Sequence, residues 1–375
     1  MIGWLALAIW LVIIGGRHRF WLARERDGPM QGPTPEVWPR VTAIVPARDE
    51  AELIGNSIAS LFAQDYPGPF DVVLVDDGSS DGTAQHARAA GTDRLTIIDG
   101  ATPPTGWTGK LWAVSQGIAA AGTSPDYLLL TDADIAHAPD TLRSLVARAV
   151  NDDRVLVSLM ARLRCESLAE RALVPAFVFF FQLLYPFGEI NNRSSGRGAA
   201  AGGVMLVDRR ALERAGGVAA VRGALIDDCA FGALMKRQGA IWLGLTDRAI
   251  SIRRYDTVGS IAAMISRSAY AQLGYSPWAL IGTIGGLGLT YLAPPLLAVF
   301  GHGYGQWTGF AAWTLMAIAF QPMLRFYHRS PLWGVGMPLI ASFYAGCTLL
   351  SAWQHARGQG GMWKGRAQAA AGVRA

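Results

Sequence analysis

The chain has 375 residues, of which 51% are hydrophobic and 16% charged, with a mean hydropathy of +0.25. Ordinary soluble domains carry about 25% charged residues, so this composition excludes a disordered chain and argues against a wholly soluble one. The net charge of +5 is not gathered on a folded domain as a nucleic-acid binder would gather it, and nucleic acid is excluded as a partner.

Met1–Gly16 is an uninterrupted apolar run followed by Arg17, His18 and Arg19. A secretory signal carries its positive charge before the apolar run. The reversed order predicts an uncleaved membrane anchor over 1–22 with its carboxyl end in the cytoplasm. Sixteen apolar residues reach only about 24 Å, short of the ~30 Å hydrocarbon core, so a peripheral hydrophobic helix is the alternative.

From residue 40 the chain alternates β-branched runs with amphipathic stretches. Strands are expected at 41–45, 72–75, 95–98, 127–131 and 155–159, and helices at 54–62, 83–90, 110–121 and 139–150. This rhythm predicts an α/β domain with a mostly parallel sheet and helices on both faces. The loops after the strands then share one edge, where open α/β sheets bind ligands. Those loops are acidic: Pro46-Ala-Arg-Asp-Glu50, Asp76-Asp77-Gly-Ser-Ser-Asp-Gly82, and Asp132-Ala-Asp134. Each alone is an ordinary turn or solvated pair; three of them on one edge form a specific pattern. Neither GxGxxG after the first strand nor GxxxxGK[ST] is present, so a Rossmann dinucleotide site and a P-loop lack support.

Phe177–Leu184 is very apolar but too short to span, leaving an interfacial helix and a buried core helix both open. Val204–Val207 is a further expected strand. Asp227-Asp228 precedes an expected helix at 229–237, and acids favour a helix N-terminus in any case. Asp256 is the last acid; residues 257–375 carry seven basic side chains, which leaves 26 basic against 28 acidic residues in 1–256. The segments 278–300, 307–324 and 332–353 contain no Asp, Glu, Lys, Arg or His and are expected to cross a membrane. A tail rich in basic residues (355–375) favours the inside, which three crossings from the cytoplasm would not satisfy; a re-entrant turn at Pro294-Pro295 would reconcile the two. Cys165, Cys229 and Cys347 form no CxxC pair, so disulfides and structural zinc are not expected.

Val45-Pro46-Ala47-Arg48-Asp49-Glu50, Val75-Asp76-Asp77-Gly78-Ser79, Asp132-Ala133-Asp134 and Asp227-Asp228, in that order over about 40–256, resemble family 2 glycosyltransferases of the GT-A fold. Gly106-Trp-Thr-Gly-Lys110, Leu225-Ile-Asp-Asp-Cys229 and Gly361-Met-Trp-Lys-Gly-Arg366 are similar to the hopanoid-associated branch of that family. The resemblance implies a membrane-bound enzyme that moves a sugar from a nucleotide-diphosphate donor, a UDP-sugar being favoured, to a lipid acceptor. It implies a multi-pass protein of a bacterial-type inner membrane with its catalytic domain (40–256) in the cytoplasm, a connection at 257–276 and membrane helices over 277–354. It implies that Asp134 and Asp132 hold Mg²⁺ or Mn²⁺, that Pro46, Ala47, Arg48, Glu50, Asp76 and Asp77 line the nucleotide, and that Asp228, paired with Asp227, is the base. The commoner family form of that pair is Glu-Asp. Lys110, opening a helix after a glycine turn, could pair with donor phosphates. Arg267 could clamp the diphosphate or snorkel at a membrane surface. Processive relatives carry Gln-x-x-Arg-Trp; here Ser266-Arg-Ser-Ala-Tyr270 stands instead, favouring transfer of one sugar. A polyprenyl-phosphate glycosyltransferase is the near alternative. A transporter with a nucleotide-binding domain is the distant one, opposed by the lack of ionisable groups within the spans.

Overall fold

The computed structural model describes residues 1–28, 33–363, 366 and 367. Lys364, Arg374 and part of the Gly361–Arg366 motif and basic tail lie outside the described residues. The chain divides into an α/β unit (residues 25–163, 190–253 and 363–375) and a helical unit (1–24, 164–189 and 254–362).

The α/β unit is built on one sheet. Its strands are β1 (Val41–Ala47), β2 (Phe70–Asp76), β3 (Leu95–Asp99), β4 (Tyr127–Thr131), β5 (Ile135–His137), β6 (Leu156–Leu163), β7 (Val204–Asp208) and β8 (Ile241–Ser251). They lie in the order β3-β2-β1-β4-β7-β6-β8-β5. β1 is buried along its whole length, which is why it reads as a continuous apolar run rather than an alternating one. Its residues still alternate between two covered faces. Ala43 and Val45 join a core with Ile54, Ile58 and Leu61 of the helix Ala51–Phe62. Ile44 points the other way, onto the helix Gly109–Ala120, where a Cβ on Gly117 would come within 2.5 Å of it.

The sheet is mixed, with four parallel pairings and three antiparallel ones. β1, β2, β3 and β4 are parallel neighbours, and β6 pairs parallel with β8. β7 runs antiparallel to both β4 and β6, and β5 antiparallel to β8. The reason lies in where the chain enters β7. Val204 pairs with Thr131, the last residue of β4, so β7 starts at the edge where the parallel strands finish and must run back. That entry brings the Gly202-Gly203 loop to the acidic edge.

In the helical unit the apolar run 177–184 is the second half of a 17-residue helix, Leu168–Leu184. It is started by a capping box in which Ser167 and Glu170 satisfy each other's backbone N–H groups. One face is buried (Val174, Val178 and Phe179 among others), while Leu168 and Leu184 are exposed. Pro277–Phe300 is a 24-residue helical run, about 36 Å long at 1.5 Å per residue, with a π turn at Gly288–Leu292. Pro294 has no N–H to give the Thr290 carbonyl four residues back; the Trp10 indole N–H donates to it instead, at 2.8 Å. The Pro-Pro pair is thus absorbed within a continuous run, not a re-entrant turn. The helix Ile2–Gly15 lies close against Tyr304–Phe326, for a Cβ on Gly3 would fall 2.2 Å from the Thr308 hydroxyl.

Among the described residues, Pro277–Phe300 is the one helix long and apolar enough to cross a membrane. Three such segments were expected. Tyr304–Phe326 and Met337–Ala356 have the length, 23 and 20 residues, but they are diluted by Gln306, Thr308, Gln321 and Arg325, and by Ser342, Thr348, Gln354 and His355. Ile2–Gly15 is apolar but short.

Candidate active site

Several chain segments meet at the edge where β1, β2 and β4 end. The loop after β1 is stapled to the loop after β2. Asp49 N–H donates to the Ser79 hydroxyl and Ser80 N–H to an Asp49 carboxylate oxygen, at 3.0 and 2.9 Å. Asp81 accepts from the Ala51 and Thr83 N–H groups and from the Thr83 hydroxyl, while Thr83 also accepts from Glu50 N–H. Gly78 and Gly82 adopt φ of +67° and +87°, which glycine allows at no steric cost. The acidic tract therefore builds its own frame. Asp76 accepts from Ser79 N–H at 2.9 Å. Asp77 is buried, 3.7 Å from the Arg48 guanidinium, which also donates to its carbonyl.

Lys110 is the second residue of the helix Gly109–Ala120, whose first turn is capped by the Thr108 hydroxyl. A cation at a helix N-terminus opposes the helix dipole and needs compensation. It stands 2.7 Å from Asp132 and 3.5 Å from Asp227. Burial alone would push the ammonium down, but Asp132, Asp227 and Asp228 together outweigh it and hold Lys110 above the ordinary lysine range. The opposite holds for Asp132: burial, joined by repulsion from Asp134 and Asp227, raises its carboxyl despite Lys110.

Asp227 and Asp228 open the helix Asp227–Lys236, so the ordinary helix-start role and a place in the cleft coincide. Gly232 of that helix touches the Ala199–Ala200 backbone so closely that a Cβ would lie 2.2 Å from the Ala199 carbonyl carbon. This contact docks the helix on the 198–203 loop. Gly202 N–H then donates to one Asp228 oxygen at 3.0 Å, and Cys229 N–H to the other at 2.7 Å. Burial, then the neighbouring Asp227 charge, push the Asp228 carboxyl up to about 6. Both backbone donors and Lys110 act against that rise. Asp228 is an oriented carboxylate whose affinity for a proton is raised, which is what a general base requires.

Asp134 meets a partner the sequence did not suggest. Arg253, two residues past β8, donates from Nε to Asp134 Oδ2 at 2.8 Å and reaches Glu50 with a terminal nitrogen. No local signal in Arg253-Arg254 says which acid it meets. Thr131, at the end of β4, donates to the Gly203 carbonyl at 2.8 Å and lies 3.1 Å from Nε2 of buried His137. Burial lowers that imidazole to about 4 and keeps it neutral.

A small cleft lies among these groups, walled by Pro46, Lys110, Asp132, Gly202, Asp227 and Phe231. Of the expected site residues, Pro46, Lys110, Asp132 and Asp227 line it directly. Asp228 is not one of the lining residues but sits beside them at Gly202, where an added Cβ would lie 3.4 Å from both the Asp228 Cβ and the Lys110 ammonium. Glu50 and Asp134 are joined through Arg253, and half-buried Arg48 with buried Asp77 forms a separate pair. Arg267 is exposed in the helical unit, following the helix Val258–Ser266. Arg193, a basic-loop residue of the same region as Gly202, is tied to the Asp152 carbonyl.

Among the described residues no three His, Cys, Asp or Glu side chains form a metal cage. A cation of the Mg²⁺ type uses one or two carboxylates and completes its shell with substrate phosphates. Asp132 and Asp134 suit that mode, and each already carries a positive group of the chain, Lys110 on one and Arg253 on the other.

A mixed α/β sheet with acids at its strand ends matches the GT-A type of fold. Residues 42–216 match the family model described as glycosyl transferase family 2. A 4,4'-diaponeurosporenoate glycosyltransferase of Staphylococcus aureus (strain bovine RF122 / ET3-1) is 37% identical over 95 residues, 25% of this chain. The match spans about a quarter, 24%, of that relative's length. The mannosyltransferase PcManGT from Pyrobaculum calidifontis, solved in complex with GDP-Man and Mn²⁺, shares the fold with a TM-score of 0.54 and 20% identity, covering 94% of this chain and 99% of that one. Glucosyl-3-phosphoglycerate synthase from Mycobacterium tuberculosis aligns with a TM-score of 0.42 and 20% identity over 63% of this chain and 79% of its own.

Proposed function

We propose that the protein is a membrane-held, metal-dependent, inverting glycosyltransferase that moves one sugar from a nucleotide-diphosphate donor to a lipid hydroxyl. The observation that carries this reading is the meeting of Asp132, Asp227 and Asp228 around Lys110 in one cleft at the strand ends. The acceptor hydroxyl gives its proton to Asp228 as its oxygen bonds to the anomeric carbon. The bond from that carbon to the diphosphate oxygen breaks on the opposite face, its electron pair leaving with the nucleoside diphosphate. Lys110 neutralises part of the charge that accumulates there. Asp132 and Asp134 would hold Mg²⁺ or Mn²⁺, which supplies Lewis-acid stabilisation of the diphosphate. Because the leaving group departs as an anion, no second carboxyl is needed to protonate it, unlike in glycoside hydrolysis. Pro46, Asp76 and the Arg48–Asp77 pair are assigned to the nucleotide side.

The staphylococcal relative is by name a glycosyltransferase of 4,4'-diaponeurosporenoate, which supports an apolar acceptor; the motifs at 106–110 and 225–229 favour a hopanoid, and a UDP-sugar is the favoured donor. Membrane attachment is supported by Pro277–Phe300 and by exposed apolar side chains in the helical unit, with Trp278 and Trp307 at 81% and 70% exposure. Surfaces of that kind need an apolar partner. Placement as a multi-pass protein of an inner membrane, with the 40–256 domain facing the cytoplasm, belongs to the same proposal.

The test incubates membranes containing the protein with a panel of radiolabelled nucleotide sugars and follows label into extractable lipid. One donor is expected to label lipid, with incorporation abolished by chelator and restored by Mn²⁺ or Mg²⁺. Failure of every donor to label lipid, or labelling indifferent to chelator, would overturn the reading.

A further inference from the structure

We infer that Arg253 is a positioning residue that serves as the chain's own counter-ion for Asp134 and must surrender that carboxylate before a divalent cation can occupy it. The inference rests on Asp134 being a metal ligand. Four contacts define the arrangement. Arg253 Nε donates to Asp134 Oδ2 at 2.8 Å, and the Ser251 hydroxyl donates to the same oxygen at 3.2 Å. A terminal guanidinium nitrogen reaches Glu50. Ile252 N–H donates to the Asp134 carbonyl at 2.9 Å, locking the end of β8 beside the loop after β4.

Both acids are fixed from outside the pair. Glu50 is buried and its backbone N–H is held by Thr83 at 2.8 Å; the Asp134 side chain is 13% exposed. A planar guanidinium spans two carboxylates with a geometry that an ammonium cannot reproduce. A divalent cation on Oδ2 would face that guanidinium at contact distance, where like charges repel, on an oxygen that already accepts from Arg253 and Ser251. Glu50 offers Arg253 a second anchor, so the guanidinium can leave Asp134 without leaving the site. A donor diphosphate offers it a new partner of the right charge. Cation and donor are therefore coupled: without donor, Arg253 holds down the apparent affinity for the metal.

The test measures Mn²⁺ affinity by electron paramagnetic resonance on the purified full-length protein in nanodiscs, with no nucleotide present. Arg253→Gln removes the competing charge and is expected to bind Mn²⁺ at least tenfold more tightly than wild type. Arg253→Lys, which keeps the charge but loses the fork, is expected to fall between the two. Asp134→Asn is expected to lose at least tenfold. If Asp134→Asn loses binding while Arg253→Gln binds no more tightly than wild type, the Arg253 inference is overturned and the metal site stands. If Asp134→Asn binds Mn²⁺ as wild type does, the metal reading of Asp134 falls and takes the inference with it. Should the Gln variant fail to fold, the Lys variant decides: affinity equal to or below wild type overturns the proposal.

Discussion

Replacing Asp228 by Asn separates chemistry from stability. The carboxyl rises from its ordinary 3.8 to about 6 on burial and beside Asp227, roughly two pKa units, or about 3 kcal/mol at 1.36 kcal/mol per unit. Because it titrates higher in the folded chain than in the unfolded one, ionised Asp228 costs stability above pH 6, and that cost disappears below about pH 3.8. Asn carries no charge and escapes it. Against this, Asn keeps one acceptor oxygen where Asp228 used two, for Gly202 and Cys229 N–H, and one stranded donor costs about 1–3 kcal/mol. The two effects leave Asp228→Asn at least as stable as wild type at pH 7.5. Its turnover is expected to drop by roughly 100- to 10,000-fold, the contribution of a general base. Donor affinity should be kept, since Lys110 still pairs with Asp132 and Asp227. In wild type, turnover should fall as pH drops through about 6. Thermal unfolding, nucleotide binding and label transfer on one preparation make the comparison. Turnover within about threefold of wild type, or inactivity accompanied by a clearly lower melting temperature, would refute the assignment.

Lys110→Met removes the cation between Asp132 and Asp227; donor KM should rise about tenfold or more, and the loss of a charge that lowers Asp228 should move the acid limb of the pH–rate profile upward. An unmoved limb would detach Lys110 from the base. Gly232→Ala forces a Cβ to within 2.2 Å of the Ala199 backbone; overpacking of this kind costs about 1–3 kcal/mol or more, and both melting temperature and activity should fall, whereas an unaffected melt would contradict the close docking. Trp10→Phe strips the donor from the Thr290 carbonyl that Pro294 leaves unmet, and a loss of about 1–3 kcal/mol should appear as earlier unfolding of the full-length protein in detergent.

What could be read from the sequence was local. β1, β2, β3 and β4 announce themselves as β-branched runs, and the acids sit just beyond them, so the acidic edge at 76–77 and 132–134 was legible. The direction of β7 was not, because Val204–Asp208 alternates identically in either sense and only its pairing with Thr131 sets it. β8 likewise passed unrecognised as a strand, although Ile241–Ser251 is long and largely buried. Ser167 and Glu170 spelled out a helix start that the louder apolar run at 177–184 obscured. Arg253 was invisible for a different reason: its partners, Asp134 and Glu50, lie more than a hundred residues away, and a basic pair carries no mark of the acids it will meet. The spans expected at 307–324 and 332–353 fall on helices whose polar residues dilute their apolar character.

The central claim is tested most directly by calorimetric titration of the purified protein with UDP and GDP, in the presence and absence of Mn²⁺. Binding of one nucleotide that requires the cation and vanishes in Asp132→Asn and Asp134→Asn is the expected result. Cation-independent binding, or no binding of either nucleotide at millimolar concentration with Mn²⁺ present, would contradict a donor site built on these carboxylates.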